Sequence, residues 1–198
     1  MNVMKQNNYS VNKPCFTIYA NVFSDEECDL ISEKQIDKDI VRDNKDSINS
    51  NFLNPNHRYS YDKCVLDDSE ELEQRLISYI FDCNSKIYGY EIWGFEEDIK
   101  LLTFQKDDYI KEHERTLWYS NEPNDRKLTG YLFLSHQESY VGGRFKVDGV
   151  SDVKDISIGY NQKGNLLVYP SFVSLSIDNI KSGFMQVLTF DIIGPNLR

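Results

Sequence analysis

Histidine is scarce in this chain: of 198 residues only His57, His113 and His136 carry an imidazole. Any histidine-based metal site must pass through one of these three positions. Cysteine is nearly as sparse. Cys15, Cys28, Cys64 and Cys83 are widely spaced and form no C-x-x-C, which excludes a zinc ribbon and a dithiol redox motif. They read as free, mostly buried thiols of a reducing compartment. A basic block is also missing, and the formal net charge is -10. Binding a phosphate backbone rests on clustered Lys and Arg, so neither DNA nor RNA is an expected partner. No apolar run approaches membrane-spanning length, and the opening stretch "MNVMKQNNYSVNKPCF" has no signal-peptide core. The chain reads as soluble and cytoplasmic, with no membrane partner.

What is abundant is aromatic: 13 Tyr and 11 Phe within a 40% hydrophobic composition, more than a disordered chain carries. At this length one domain over residues 1–198 with one core is expected. In "VFSDEECDLI", Ser24 and Glu27 have the spacing of a capping box, with Phe23 placed to staple against Cys28, so a helix is predicted from about Asp25. Residues 37–60, rich in Asp, Asn, Lys and Ser, show no sustained period and read as a long loop. Leu72, Leu76, Ile80 and Ile87, with Ile77 and Phe81 alongside, follow helical spacing and predict a second amphipathic helix between Ser69 and Tyr88.

After Gly94 the pattern changes to short β-branched and aromatic segments separated by turns: "DIKLLTFQ", "LTGYLFLS", "RFKVDG", "DISIGY", "GNLLVYP", "SFVSLSID" and "FMQVLTFDI". The expected architecture is α+β, mainly β. A helical N-terminal part at about 17–95 leads into a β core at about 96–195, an all-β sandwich or barrel.

The wording of these segments is more specific than their number. "VFSDEECDLI", "DRKLTGYLFLS" followed by "SYVGGRFKV", and "QKGNLLVYPSFVSLSIDNIKSGFMQVLTFDIIGP" resemble, over about residues 17–195, the iron(II) and 2-oxoglutarate dependent oxygenases of the prolyl 4-hydroxylase (PKHD) type. The resemblance implies a double-stranded β-helix, or jelly roll, with N-terminal supporting helices. It also implies an iron(II) held by H-x-D and a later His, with an Arg ten residues beyond that His clamping 2-oxoglutarate through paired hydrogen bonds.

On this chain the first His matches His113, but the Asp position is Arg115. Counting back from Gly183 puts the second His at Leu175 and the clamp at Met185. No change of register rescues the set, because no histidine follows His136 and no arginine lies between Arg144 and Arg198. The one H-x-[DE] string, His136 to Glu138, precedes the Gly-Gly turn, where the family has a surface loop. Glu114 is sent to the opposite face by strand alternation, and Lys181 in a short turn is expected in solvent. An inward Arg115 would oppose a dication, since two unit charges 4 Å apart interact by about 4 kcal/mol at an effective dielectric of 20. Arg144 stands where the Gly-Gly turn usually has Glu, and Tyr131, Phe133, Tyr109, Tyr169 and Phe172 offer apolar filling for the pocket.

The expectations that follow are no catalytic, cofactor-binding or metal-ligating residue, no iron or 2-oxoglutarate, and a pseudo-enzyme serving as a structural or protein-interaction module. A protein partner or a homo-oligomer would then be its binding counterpart. Abundant Asn, Ile, Lys, Asp and Tyr hint at an AT-rich genome, and with the resemblance this suggests a phage virion or assembly component, in the host cytoplasm or the virion. The alternative is an active dioxygenase with an altered metal site using iron(II) and 2-oxoglutarate. A third reading is a jelly-roll cavity that binds a small molecule without metal.

Overall fold

The computed structural model describes residues 14–33, 41–42, 57–58, 60–63, 70–96, 99–116, 123–148, 153–155 and 160–196. The elements run β1 (Thr17–Tyr19), α1 (Asp25–Glu33), β2 (Val41–Arg42), β3 (His57–Arg58), β4 (Ser60–Lys63) and α2 (Glu70–Cys83), which passes into a π-helical turn at Asn84–Tyr88. Next come β5 (Gly94–Phe95), β6 (Lys100–Phe104), β7 (Tyr109–His113), β8 (Asn124–Phe133), β9 (Tyr140–Gly142), β10 (Phe145–Asp148) and β11 (Val153–Asp155). The last four strands are β12 (Leu166–Pro170), β13 (Ser174–Ile177), β14 (Ile180–Gly183) and β15 (Met185–Pro195). The predicted loop at 37–60 lies outside the described residues apart from β2, His57 and Arg58 of β3, and Ser60, all of which pair in sheets.

Among the described residues a main sheet has the order β1-β12-β8-β15-β6-β4-β2, with β5 also on β15. A second sheet has the order β11-β10-β13-β7-β3, and β14 with β9 forms a small ribbon. The non-consecutive neighbours are those of the expected jelly roll: mainly β, antiparallel throughout, with helices at the N-terminal side.

Strand periodicity divides the core in two. On β8, Leu128 and Leu132 face the helices, whereas Tyr131 and Phe133 face the second sheet. Between them, Gly130 has no alternative: a Cβ there would lie 2.2 Å from the Phe190 ring. The helical layer is set by local chemistry. Ser24 Oγ accepts from the Glu27 amide at 3.2 Å, and Glu27 Oε2 accepts from the Ser24 amide at 2.7 Å, so the capping box closes as predicted. Arg75 of α2 donates to Glu27 at 2.6 Å and lies 4.4 Å from the centre of the Phe23 ring, joining the two helices. Leu76 and Ile80 are fully buried against the main sheet, worth about 1.5–3 kcal/mol each. Gly89, in the left-handed region, ends the π turn by donating to Asn84 O.

Candidate functional site

The jelly-roll interior between the two sheets gathers the positions singled out by the sequence. His113 is the last residue of β7, and its register partner on β13 is Leu175. Directly opposed residues of an antiparallel pair project to the same face, so the two positions expected to hold histidines are neighbours. One is a fully buried aliphatic side chain. His113 is partly buried, with Nδ1 3.1 Å from Lys111 O. Met185 opens β15 opposite Phe104, buried in the same interior cluster as Leu175.

Arg115 turns inward. Its amide donates to Ser171 O at 2.8 Å, and its guanidinium forks onto Asp191 of β15, with Nε 2.9 and 3.2 Å from the two carboxylate oxygens and Nη2 on Oδ2. The side chains are 14% and 2% exposed. Asp191 also accepts from Thr129 Oγ1 at 2.7 Å, and Thr129 shares a 3.0 Å hydrogen bond with Ser171. Arg126 lies 3.5 Å from Asp191 and pairs with Glu96 nearer the surface, so charges alternate along a chain Arg115, Asp191, Arg126, Glu96. Burial works against both central charges. For Arg115, the Asp191 carboxylate outweighs it and holds the guanidinium pKa well above its ordinary value. For Asp191, Arg115, Arg126 and the Thr129 hydrogen bond outweigh it and hold the carboxyl below the usual range.

Asp191 was not singled out in the sequence, although a signal was present. In "MQVLTFDII" the period of two puts it on the face of Met185, Val187 and Thr189, and an inward aspartate on a buried strand requires a cation. The other named residues fall outside the cluster. Glu114, just beyond the end of β7, is exposed. His136 is 52% exposed and 3.5 Å from Asp25, and Glu138 sits in a surface 3-10 turn. Arg144 pairs at the surface with Asp178 at 2.9 Å, and Lys181 is exposed on the ribbon. Tyr131, Phe133 and Tyr169 fill the interior and Tyr109 is half-buried, but Phe172 is turned toward solvent, a correction to its expected place as pocket filling. It follows Ser171, whose hydroxyl takes the inward direction toward Thr129, so the next side chain points out.

The fold is a double-stranded β-helix, the one found in solved 2OG-Fe(II) oxygenases of the prolyl-hydroxylase kind. The chain is similar in structure to the viral collagen prolyl hydroxylase vCPH from Paramecium Bursaria Chlorella virus-1 in its 2OG complex, with TM-score 0.63, 14% identity, and 92% of this chain and 97% of that one covered. It is likewise similar to an oxidoreductase of the 2OG-Fe(II) oxygenase family from Burkholderia pseudomallei, with TM-score 0.64, 15% identity, and 93% and 89% covered. HygX from Streptomyces hygroscopicus, with nickel and 2-oxoglutarate bound, matches with TM-score 0.61 and 12% identity over 99% and 89%. No family model matches the chain, and no curated protein does. At these identities the likeness is one of fold.

The neighbours overturn the expectation that no cofactor goes with this chain. The proteins that share its fold are Fe(II)/2-oxoglutarate oxygenases, and vCPH and HygX were solved with 2-oxoglutarate in place. The physical reason is that the jelly roll that houses such a cofactor is built here over nearly its whole length, and the side chains at Arg115, Leu175 and Met185 do not dismantle it. Those three positions, with His113, nevertheless do not fit an iron(II) held by two His and a carboxylate. Leucine offers no lone pair, arginine is a donor only, and Asp191 is already occupied by Arg115 and Thr129. Among the described residues, no three His, Cys, Asp or Glu side chains converge on one point. Also among them, no helix is long and apolar enough to cross a membrane.

Proposed function

We propose that the chain is a structural or protein-interaction module built on the oxygenase jelly roll, and that it does not carry out the family's hydroxylation. One observation carries this reading: the guanidinium of Arg115 is turned into the interior and locked to Asp191 beside the face shared by His113 and Leu175. A metal that must activate oxygen needs open coordination positions and ligands with free lone pairs, whereas this pair fills the place with a closed, charge-neutral bridge. A protein partner or second copy, in the cytoplasm or in a virion, is the binding counterpart proposed; composition supports the virion form and nothing else on the chain does.

The test is turnover. Purified protein with iron(II), ascorbate and 2-oxoglutarate in air is expected to form no succinate above the background of free iron. Succinate production that falls to background on changing His113 to Ala would overturn the proposal. A parallel measurement, thermal unfolding with manganese(II) and 2-oxoglutarate without oxygen, reads cofactor binding separately from chemistry. A ligand at 100 times its dissociation constant adds about 2.7 kcal/mol, or about 5 to 10 °C in a domain this size.

A further inference from the structure

Among the described residues seven large hydrophobic side chains stand out into solvent, and three of them belong to the β9–β14 ribbon and the segment beside it. Val141 of β9 and Phe184, which follows β14, are 56% and 53% exposed, while their chain neighbours Tyr140 and Met185, and Ile180 of β14, are buried in the interior cluster. The ribbon therefore has an inner face that fills the core and an outer face that is apolar. Tyr160, the third, heads a segment tied to the same place: Asn161 Nδ2 donates to Tyr140 Oη at 2.9 Å, and Gln162 Nε2 lies 3.4 Å from Gln137 Oε1. The ribbon is firmly seated. The Asp107 amide donates to Ile180 O at 2.8 Å, the Ile180 amide to Asp108 O at 3.0 Å, and the Gly143 amide to Asn179 O at 3.3 Å. A surface held in this way gives up little conformational freedom on docking, which favours association.

We propose that the outer face of this ribbon is a self-association surface, which takes a second copy of the chain about a two-fold axis. The proposal rests on the interaction-module reading above and gives it a partner and a place. A two-fold interface is isologous, so the patch must carry the complement of each of its own charges. This one does. Ser182 stands opposite Val141 and Gly183 opposite Tyr140, so Lys181 lies at the Gly142 end of the ribbon and Glu138, just ahead of β9, at the other. Both side chains are exposed, and neither makes an ion pair among the described residues. An axis running across the strands at the middle of the ribbon lays Val141 and Phe184 of the two copies together and sets Lys181 of each over Glu138 of the other. Ser139 and Ser182, both exposed, are small enough to let two ribbons approach. With a net charge of -10 on each chain, two copies repel at long range, so the cross-paired ends of the ribbon are what select this face and its register.

Sedimentation velocity of the purified full chain, from about 1 µM to about 1 mM, tests the surface directly. A dimer fraction that rises with concentration is expected. Phe184→Ser and Val141→Ser should each raise its dissociation constant by at least about tenfold. Both side chains are more than half exposed, so Tm should stay where it is and show that the fold is intact. Lys181→Glu and Glu138→Lys should each weaken the dimer, and the two changes together in one chain should restore it, because the cross-pairs are then re-formed with their signs exchanged. A chain that is monomeric throughout overturns the proposal. So does a dimer indifferent to Phe184→Ser, which would use another surface or leave this one to a different protein, and so does a charge-swapped chain that fails to regain association. Monomeric protein leaves the interaction-module reading to its own turnover test, whereas succinate formation overturns that reading whether or not the chain dimerises.

Discussion

Changing Asp191 to Ala strips the Arg115 guanidinium of its partner in a place where the two side chains are 2% and 14% exposed. The carboxylate accepts the Arg115 fork, with Nε at 2.9 and 3.2 Å, and the Thr129 hydroxyl at 2.7 Å, so no nearby group can take over all of these bonds. Breaking a buried pair on one side costs about 3–5 kcal/mol, because a desolvated charge is left behind. At about 2–4 °C per kcal/mol, the midpoint falls by about 6 to 20 °C. The paired variant Arg115→Met with Asp191→Leu removes both charges and is expected to recover most of that loss, since apolar replacement of a buried pair is often neutral or better. Urea unfolding of parent, both single variants and the double variant gives the coupling energy. A single-variant cost below about 1 kcal/mol, or a double variant as unstable as the sum of its parts, would refute the bridge as described.

The same pair sets an acid limit. Because the folded pKa of Asp191 is depressed, its contribution is complete above the unfolded value near 4 and is lost as pH falls through the folded value. The stability gap between parent and Asp191→Asn, followed by urea unfolding, should therefore be flat above about pH 5 and shrink below about pH 4; a gap that widens in acid contradicts this. Combining Arg115→Asp, Leu175→His and Asp191→Leu places a second imidazole beside His113 and clears the cation, and it should bind cobalt(II) with visible d–d absorption where the parent does not. No absorption would mean that the His113 ring is not directed into the interior. Gly183 has φ +77, and a Cβ there would lie 2.1 Å from Ser139 O, so Gly183→Ala should cost about 1–3 kcal/mol or more. Hydrogen exchange should locate the loosening in the β9–β14 ribbon; unchanged protection there would count against the close approach.

Much of the fold was legible because it is written in local rules. Ser24 and Glu27 announce the start of α1, the spacing of Leu76 and Ile80 announces α2, and "KLLTF", "LLVYP" and "SLSI" alternate or cluster as strands do. The elements that escaped notice are short. β1, β5 and β14 have two to four residues each, too few for a period, and they exist because a neighbouring strand supplies their hydrogen bonds. The candidate site was half legible. His113, Leu175 and Met185 could be placed by resemblance, and the register of β7 on β13 sets the first two side by side. The fate of Arg115 could not be read, because its partner lies 76 residues away.

By itself, the sequence determined the classes of element, the mainly-β architecture and which residue types stand where the resemblance expects metal ligands and a clamp, since each is a matter of residue type and short-range spacing. Only the tertiary structure decided what those side chains do. The Arg115 side chain turns inward because β15 brings Asp191, and β8 brings Thr129, to the point where its charge is satisfied. Tyr131, Tyr169 and Thr189 come together because three strands distant in sequence meet there in register. Pairing of charges and hydroxyls in a dry interior is a property of distances between strands, and no local pattern along the chain carries it.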